Sequence, residues 1–140
     1  MSPKVRLVAF WVATAIFIAE SFTGAGWDLL RIQYVRDTFD HLGLPYYLLT
    51  ILGVWKLLGA VAIVVPGFPR LKEWAYAGMV LAYSGAAFCH MAVGDGPDAW
   101  TMPLFFALLS LVSWALRPPS YRTARSARHH GLRATPPTKV

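Results

Sequence analysis

The chain has a single cysteine, Cys89, in 140 residues. An intramolecular disulfide is therefore impossible, and dithiol exchange would need a second sulfur from another molecule. Charge is nearly as scarce. Asp, Glu, Lys and Arg make up 14% of the residues, against about 25% in an average soluble domain. That is too little polar surface to coat a water-soluble globule. No glycine-rich phosphate loop, nucleophile elbow or cysteine-rich metal motif occurs, so most soluble enzyme classes find no support and a bound metal is not expected.

What is abundant is apolar: 56% of the chain is hydrophobic, and it comes in blocks. A helix needs about 20 apolar residues to cross the hydrocarbon core. Four blocks meet or approach that length, at 7–26, 46–65, 73–92 and 100–116. The expected fold class is all-α: an integral membrane four-helix bundle with antiparallel up-down topology. The transmembrane domain should cover 1–116 and a basic, unstructured tail 117–140. A cleaved signal core is shorter than the first block and would not carry Glu20 near its end. Pro103 suits the first turn of the fourth helix.

The connections agree. Residues 66–72 (PGFPRLK) and 93–99 (VGDGPDA) are rich in turn formers, and short connections make successive helices antiparallel neighbours. The longer connection, 27–45, repeats Trp27, Leu30, Tyr34, Val35, Phe39 and Leu42 at helical spacing, with Arg31, Arg36, Asp37 and Asp40 between them. An amphipathic helix at the membrane surface is expected there.

Orientation follows from the cations. With both termini on one side, that side carries ten Lys and Arg: Lys4, Arg6, Arg70, Lys72 and six in the tail. The other side carries only Arg31 and Arg36. The positive-inside bias makes this a multi-pass inner (cell) membrane protein with both termini cytoplasmic. The net charge of +6 sits on terminal flanks that suit anionic headgroups, so the expected partner is the lipid bilayer and not nucleic acid.

Lys56 stands in the middle of the second block, where an ammonium costs from about 3 to above 10 kcal/mol unless it is partnered. Glu20 lies near its depth in the first block, so a structural ion pair Glu20–Lys56 is expected, directly or through water. The pair either fixes helix register or frames a polar pocket, since buried ion pairs stabilise weakly. His90 continues a strip of small residues, Gly78, Ala82 and Ala86, and should point inward. With Asp95 and Glu20 it forms the candidate catalytic set for acid–base work; as a lone histidine it could equally be a packing residue. Glu73 suits a helix start. Trp11 and Trp55 lie deep, either packed in the core or lining a pocket for a flat lipophilic ligand. The ligand-binding candidates are Glu20, Lys56, Trp55, His90 and Asp95.

Several motifs carry a family resemblance. They are Leu42-Gly43-x-Pro45, Gly53-x-x-Lys56-Leu57-Leu58-Gly59, Lys72-Glu73-Trp74-Ala75-Tyr76-Ala77-Gly78 and His90-x-x-x-Gly94-Asp95. Glu20 with Gly26-Trp27, and Pro103 with Leu116-Arg117-Pro118, extend it over about 110 residues. The chain resembles the DoxX-like family of small four-helix membrane proteins. The resemblance implies shared polar positions at Glu20, Lys56, Glu73, His90 and Asp95, and kinship with membrane subunits of quinone-linked sulfur oxidation, oxidative-stress complexes and membrane-protein assembly factors. The leading expectation is a membrane protein that binds a lipophilic small molecule, quinone-like or isoprenoid, in a polar pocket. Quinone is the candidate cofactor, and a membrane or peripheral redox system the candidate partner. The alternatives are an enzyme isomerising or cyclising a lipid-like substrate by acid–base chemistry, and a non-catalytic assembly protein.

Overall fold

The computed structural model describes residues 1–118, and every regular element among them is helical. Helix α1 runs Pro3–Leu30, four residues longer at each end than the expected 7–26. Its start is fixed by the Ser2 hydroxyl, which accepts from the Val5 N–H, and by Pro3 in the first turn. Its end is fixed by Arg31, which adopts a left-handed φ of 49°. Gly24 and Gly26 do not stop the helix, because nothing downstream breaks it before Arg31.

Helix α2, Gln33–Leu42, is the expected amphipathic segment. It buries Val35 and Phe39 against Leu49, forming a small hydrophobic cluster at the start of α3, and ends on Gly43 at φ 69°. Helix α3 spans Tyr47–Val64, α4 Pro69–Ala92 and α5 Pro97–Leu116. Helix α5 starts earlier than expected because Pro97, not Pro103, takes the first-turn position. Pro103 lies inside the helix, where it cannot donate the usual backbone hydrogen bond.

The four long helices pack as α1 on α3, α3 on α4, α4 on α5 and α5 on α1. Side-chain contacts tie their ends. At one end the Arg6 guanidinium donates to the Ala115 carbonyl at 3.3 Å, and the buried Lys72 ammonium donates to the Ile63 carbonyl in the last turn of α3. That ammonium satisfies an otherwise orphaned helix-terminal acceptor. The main core between the helices is Phe17, Ile18, Ala60, Ile63, Tyr76, Met79, Tyr83 and Ala107.

Among the described residues three helices, α1, α3 and α5, are long and apolar enough to cross a membrane. The expected span at 73–92 lies in α4, which has the length but carries Arg70, Lys72 and Glu73 near its start and Tyr76, Tyr83, Ser84 and His90 further on. The outward faces of the long helices are apolar: Trp11, Trp55, Leu81, Phe88 and Leu108 are each at least half exposed. Side chains of that kind need lipid as their solvent. The expected tail, apart from Arg117 and Pro118, lies outside the described residues.

Close approach of α3 to α1 depends on Gly53. A methyl group there would stand 2.7 Å from Leu29 Cγ and 3.1 Å from the Ala25 carbonyl oxygen, and the backbone atom cannot yield. Gly53→Val should therefore destabilise the protein by about 1–3 kcal/mol. Gly78→Ala, with nothing within 4 Å of the added carbon, should not. Thermal unfolding in detergent distinguishes the two.

Candidate functional site

The ammonium of Lys56 finds its counter-charge on α1, but the carboxylate in contact is Asp28. Lys56 Nζ lies 3.1 Å from Asp28 Oδ2, and the two side chains are 18% and 8% exposed. That oxygen makes no aligned hydrogen bond, so the approach is a charge contact. The expected Glu20–Lys56 pair is not made directly. Both groups still converge on Gly24: a carbon added there would meet Glu20 Oε1 at 3.0 Å and Lys56 Nζ at 3.2 Å. Glycine at this position leaves room for two charged heads side by side.

Glu20 takes its hydrogen bond from Tyr83, whose hydroxyl donates to Oε2. The same hydroxyl lies 2.8 Å from Ser21 Oγ, and Ser21 in turn donates to the Phe17 carbonyl. Lys56 Nζ stands 5.9 Å from the centre of the Tyr83 ring, a cation–π contact. Glu20, Ser21, Asp28, Lys56 and Tyr83 therefore form one polar cluster contributed by α1, α3 and α4.

His90 and Asp95 do meet. His90 Nδ1 lies 2.7 Å from Asp95 Oδ2, and His41 of α2 reaches the other oxygen at 2.6 Å. Ionised Asp95 accepts both bonds, so each facing ring nitrogen carries the proton. The His90 Nε2 and His41 Nδ1 lone pairs are then left as acceptors when the rings are neutral. The Asp95 carboxyl is held below the usual aspartate value by the His90 hydrogen bond first and the His41 bond second. These residues border an open cavity of about 380 Å3 under α2, together with Tyr34, Asp37 and Asp98. Glu20 is not part of it. Tyr83, its partner, precedes His90 by seven residues, about 10 Å along α4. Among the described residues no group of three His, Cys, Asp or Glu side chains is arranged to hold a metal.

Trp55 is 67% exposed and belongs to neither cluster. With Lys56, Leu52, Val65, Phe68 and Trp74 it lines a groove of about 800 Å3 between α3 and α4, where Lys56 is the one charged lining residue among the described residues. Trp11 faces outward from α1 beside Phe10. Gly78 and Ala82, expected at a helix contact, border the groove instead; the buried face of α4 is Tyr76, Met79, Tyr83 and Ala87. At the other end Glu73 accepts from Trp114 Nε1 at 2.6 Å and pairs with Arg117, which is 4% exposed although expected in the tail.

Asp28, Tyr83 and His41 escape a reading that seeks only charges inside the expected spans. Asp28 lies just past residue 26, and His41 falls in the connection. A usable signal exists: Ser21 and Asp28 on one helix, and Tyr83 and His90 on another, are each seven residues apart.

A sequence model described as the DoxX-like family matches residues 12–113. No curated protein and no solved structure matches the chain. The match covers well over half of the sequence, and the chain belongs to the DoxX-like family.

Two outcomes follow from this geometry. Lys56→Met should cost about 3–5 kcal/mol by stranding a buried carboxylate. Adding Asp28→Asn should recover more of that loss than adding Glu20→Gln, read from unfolding midpoints in detergent. Because its folded pKa is depressed, ionised Asp95 stabilises the protein above the ordinary aspartate value of 3.8, and this contribution is lost as pH falls through the lower folded value. Pulsed hydrogen exchange should show α2 opening in that acid range, and Asp95→Asn should open α2 at neutral pH as well.

Proposed function

We propose that this DoxX-like protein holds a lipophilic molecule in the groove between α3 and α4, with the Lys56 ammonium offered to an oxygen on its head. The observation that carries this reading is the groove itself: about 800 Å3, walled by apolar side chains, with a single charged group reaching it from the interior. A pocket of that size and polarity suits a drug-sized apolar ligand oriented by one polar contact. Trp55 and Trp74 offer flat faces for a ring. Phe68 stands in the groove wall at a left-handed φ of 51°, a conformation costly for an aromatic residue. The ligand class is quinone-like or isoprenoid, and the role that of a membrane subunit in a redox system.

The proposed setting is an antiparallel four-helix bundle in the inner membrane with both termini cytoplasmic. The ring of contacts among the long helices and the four-residue connections at 65–68 and 93–96 support it. Helix α4, 24 residues long, reaches about 36 Å at 1.5 Å per residue, enough for a core of about 30 Å. The alternative of an acid–base isomerase or cyclase draws on the oriented His90–Asp95 pair. It is the weaker reading, because Glu20, His90 and Asp95 lie outside the groove lining. An assembly role would not require the groove.

Native mass spectrometry of the purified protein should show a retained lipophile. Decyl-ubiquinone added to ligand-stripped protein should quench Trp55 and Trp74 fluorescence saturably. Gly78→Phe directs a side chain into open groove space and should abolish both signals while the protein stays folded. A folded Gly78→Phe protein that still binds would refute the groove as the site.

A further inference from the structure

Three cations gather where α1 and α4 begin and α5 ends. Arg6, half-buried, gives its Nη2 to the Ala115 carbonyl, two residues before Arg117. Arg117 closes α5 and is 4% exposed. Lys72, equally buried, spends a proton on the Ile63 carbonyl and lies near enough to Arg117 for the two charges to repel. Among the described residues Glu73, half-exposed, is the one carboxylate paired with any of the three. Two cations are thus withdrawn from water with one acid to balance them, and a buried charge needs counter-charge.

The hydrogen bonds are incomplete in the same place. Arg117 gives Nη2 to Glu73, and its Cζ stands 5.5 Å from the centre of the Tyr76 ring. Its Nε and Nη1, and the Nε of Arg6, are shielded from solvent and meet no acceptor among the described residues. A guanidinium has five N–H donors and cannot shed its charge, so such donors are costly to leave unmade. The acceptor they match best is an anion with several oxygens, such as a phosphate.

Beside Arg117 a groove of about 390 Å3 opens between α4 and α5. Two of its wall residues, Glu73 and Tyr76, are the ones that Arg117 touches. From Glu73 it follows α4 past Val80 to Leu81, a length of about 12 Å, with Leu111 and Trp114 on the facing helix. Glu73 apart, no lining residue is charged, and Leu81 and Trp114 are exposed. Trp74 and Trp114 stand at this level, and indole rings settle between headgroups and acyl chains.

We propose that this end binds one anionic phospholipid, its phosphate on Arg117 and Arg6 and an acyl chain along the α4–α5 groove. Charge sets the headgroup class. Three cations and one carboxylate leave two positive charges, which an anionic headgroup offsets and a zwitterionic one does not. In the proposed orientation this end faces the cytoplasmic leaflet, where anionic lipids concentrate. The adjoining groove sets the source: a phosphate that arrives with acyl chains is held at both ends, and a soluble one is not. Neither Lys56 nor the α3–α4 groove takes part, so this site is independent of the ligand proposed there.

The test uses the full chain, delipidated in detergent and titrated with dioleoyl-phosphatidylglycerol or dioleoyl-phosphatidylcholine, with bound lipid counted by native mass spectrometry. One phosphatidylglycerol should bind several-fold more tightly than phosphatidylcholine. Arg117→Gln and Arg6→Gln should each reduce that preference several-fold. Arg70→Gln, which removes an exposed charge at the same end, should not. Ala77→Trp fills the groove from α4 and should weaken phosphatidylglycerol binding several-fold. Equal affinity for the two lipids, a loss as large in Arg70→Gln as in Arg117→Gln, or no effect of Ala77→Trp would each overturn the proposal. Displacement of the lipid by an equal concentration of inorganic phosphate would overturn it too, in favour of a soluble anion. The two-lipid comparison on wild type and the Arg6→Gln measurement stand even if Arg117→Gln does not fold.

Discussion

An ammonium group in a hydrocarbon-facing helix must meet negative charge inside the protein, and Lys56 organises much of this chain through that requirement. Its stem turns toward α1, where Asp28 contacts it and Glu20 approaches it across Gly24. The same helix pair needs Gly53 to close over Ala25 and Leu29. Small residues and a charge contact thus act together on α1 and α3, the first setting distance and the second setting register. Buried pairs add little net stability, but one left half-made costs much more. That asymmetry makes the arrangement specific even where it is not strongly stabilising.

Two compartments result, and they differ in chemistry. The interior between α1, α4 and α5 holds two hydrogen-bonded polar sets, Thr14–Ser113–Tyr76 and Ser21–Tyr83–Glu20. The groove between α3 and α4 is walled by apolar side chains. Among the described residues Lys56 is the one charged side chain that belongs to both, so whatever lies in the groove meets the charge of the interior through this side chain. An occupant with a carbonyl oxygen would meet a donor whose charge is already balanced by acids behind it. An anionic head would meet the same donor with those acids close behind it.

The helices were legible because apolar runs and Pro- and Gly-rich breaks are strong local signals. The amphipathic α2 was legible because its period survives in a short stretch. Helix ends were less so: Gly24 and Gly26 read as a stop, but a stop requires a backbone that leaves the helix, and that happens at Arg31. Truncating the span there hid Asp28, and with it the true partner of Lys56. The strip Gly78–Ala82–Ala86 misled for a different reason. Small residues permit close approach but do not by themselves attract a neighbour, and here Gly78 and Ala82 border a groove. Pairing of His90 with Asp95 was readable from five-residue proximity, whereas His41 comes from an element 54 residues away in sequence.

Helix α4 shows why an average over a window conceals function. Its polar residues lower the mean, yet they do not encircle the helix. Tyr76, Tyr83 and His90 share one line, while Leu81 and Phe88 lie exposed on other faces. A surface helix in water puts its apolar stripe inward; α4 does the reverse, with hydroxyls and an imidazole toward the centre and hydrocarbon outward. That inversion is what a lipid solvent demands of a helix that lines a polar interior. In the proposed bundle the helix with the weakest crossing signal is therefore the one most committed to the site, and its low hydropathy is the mark of that commitment.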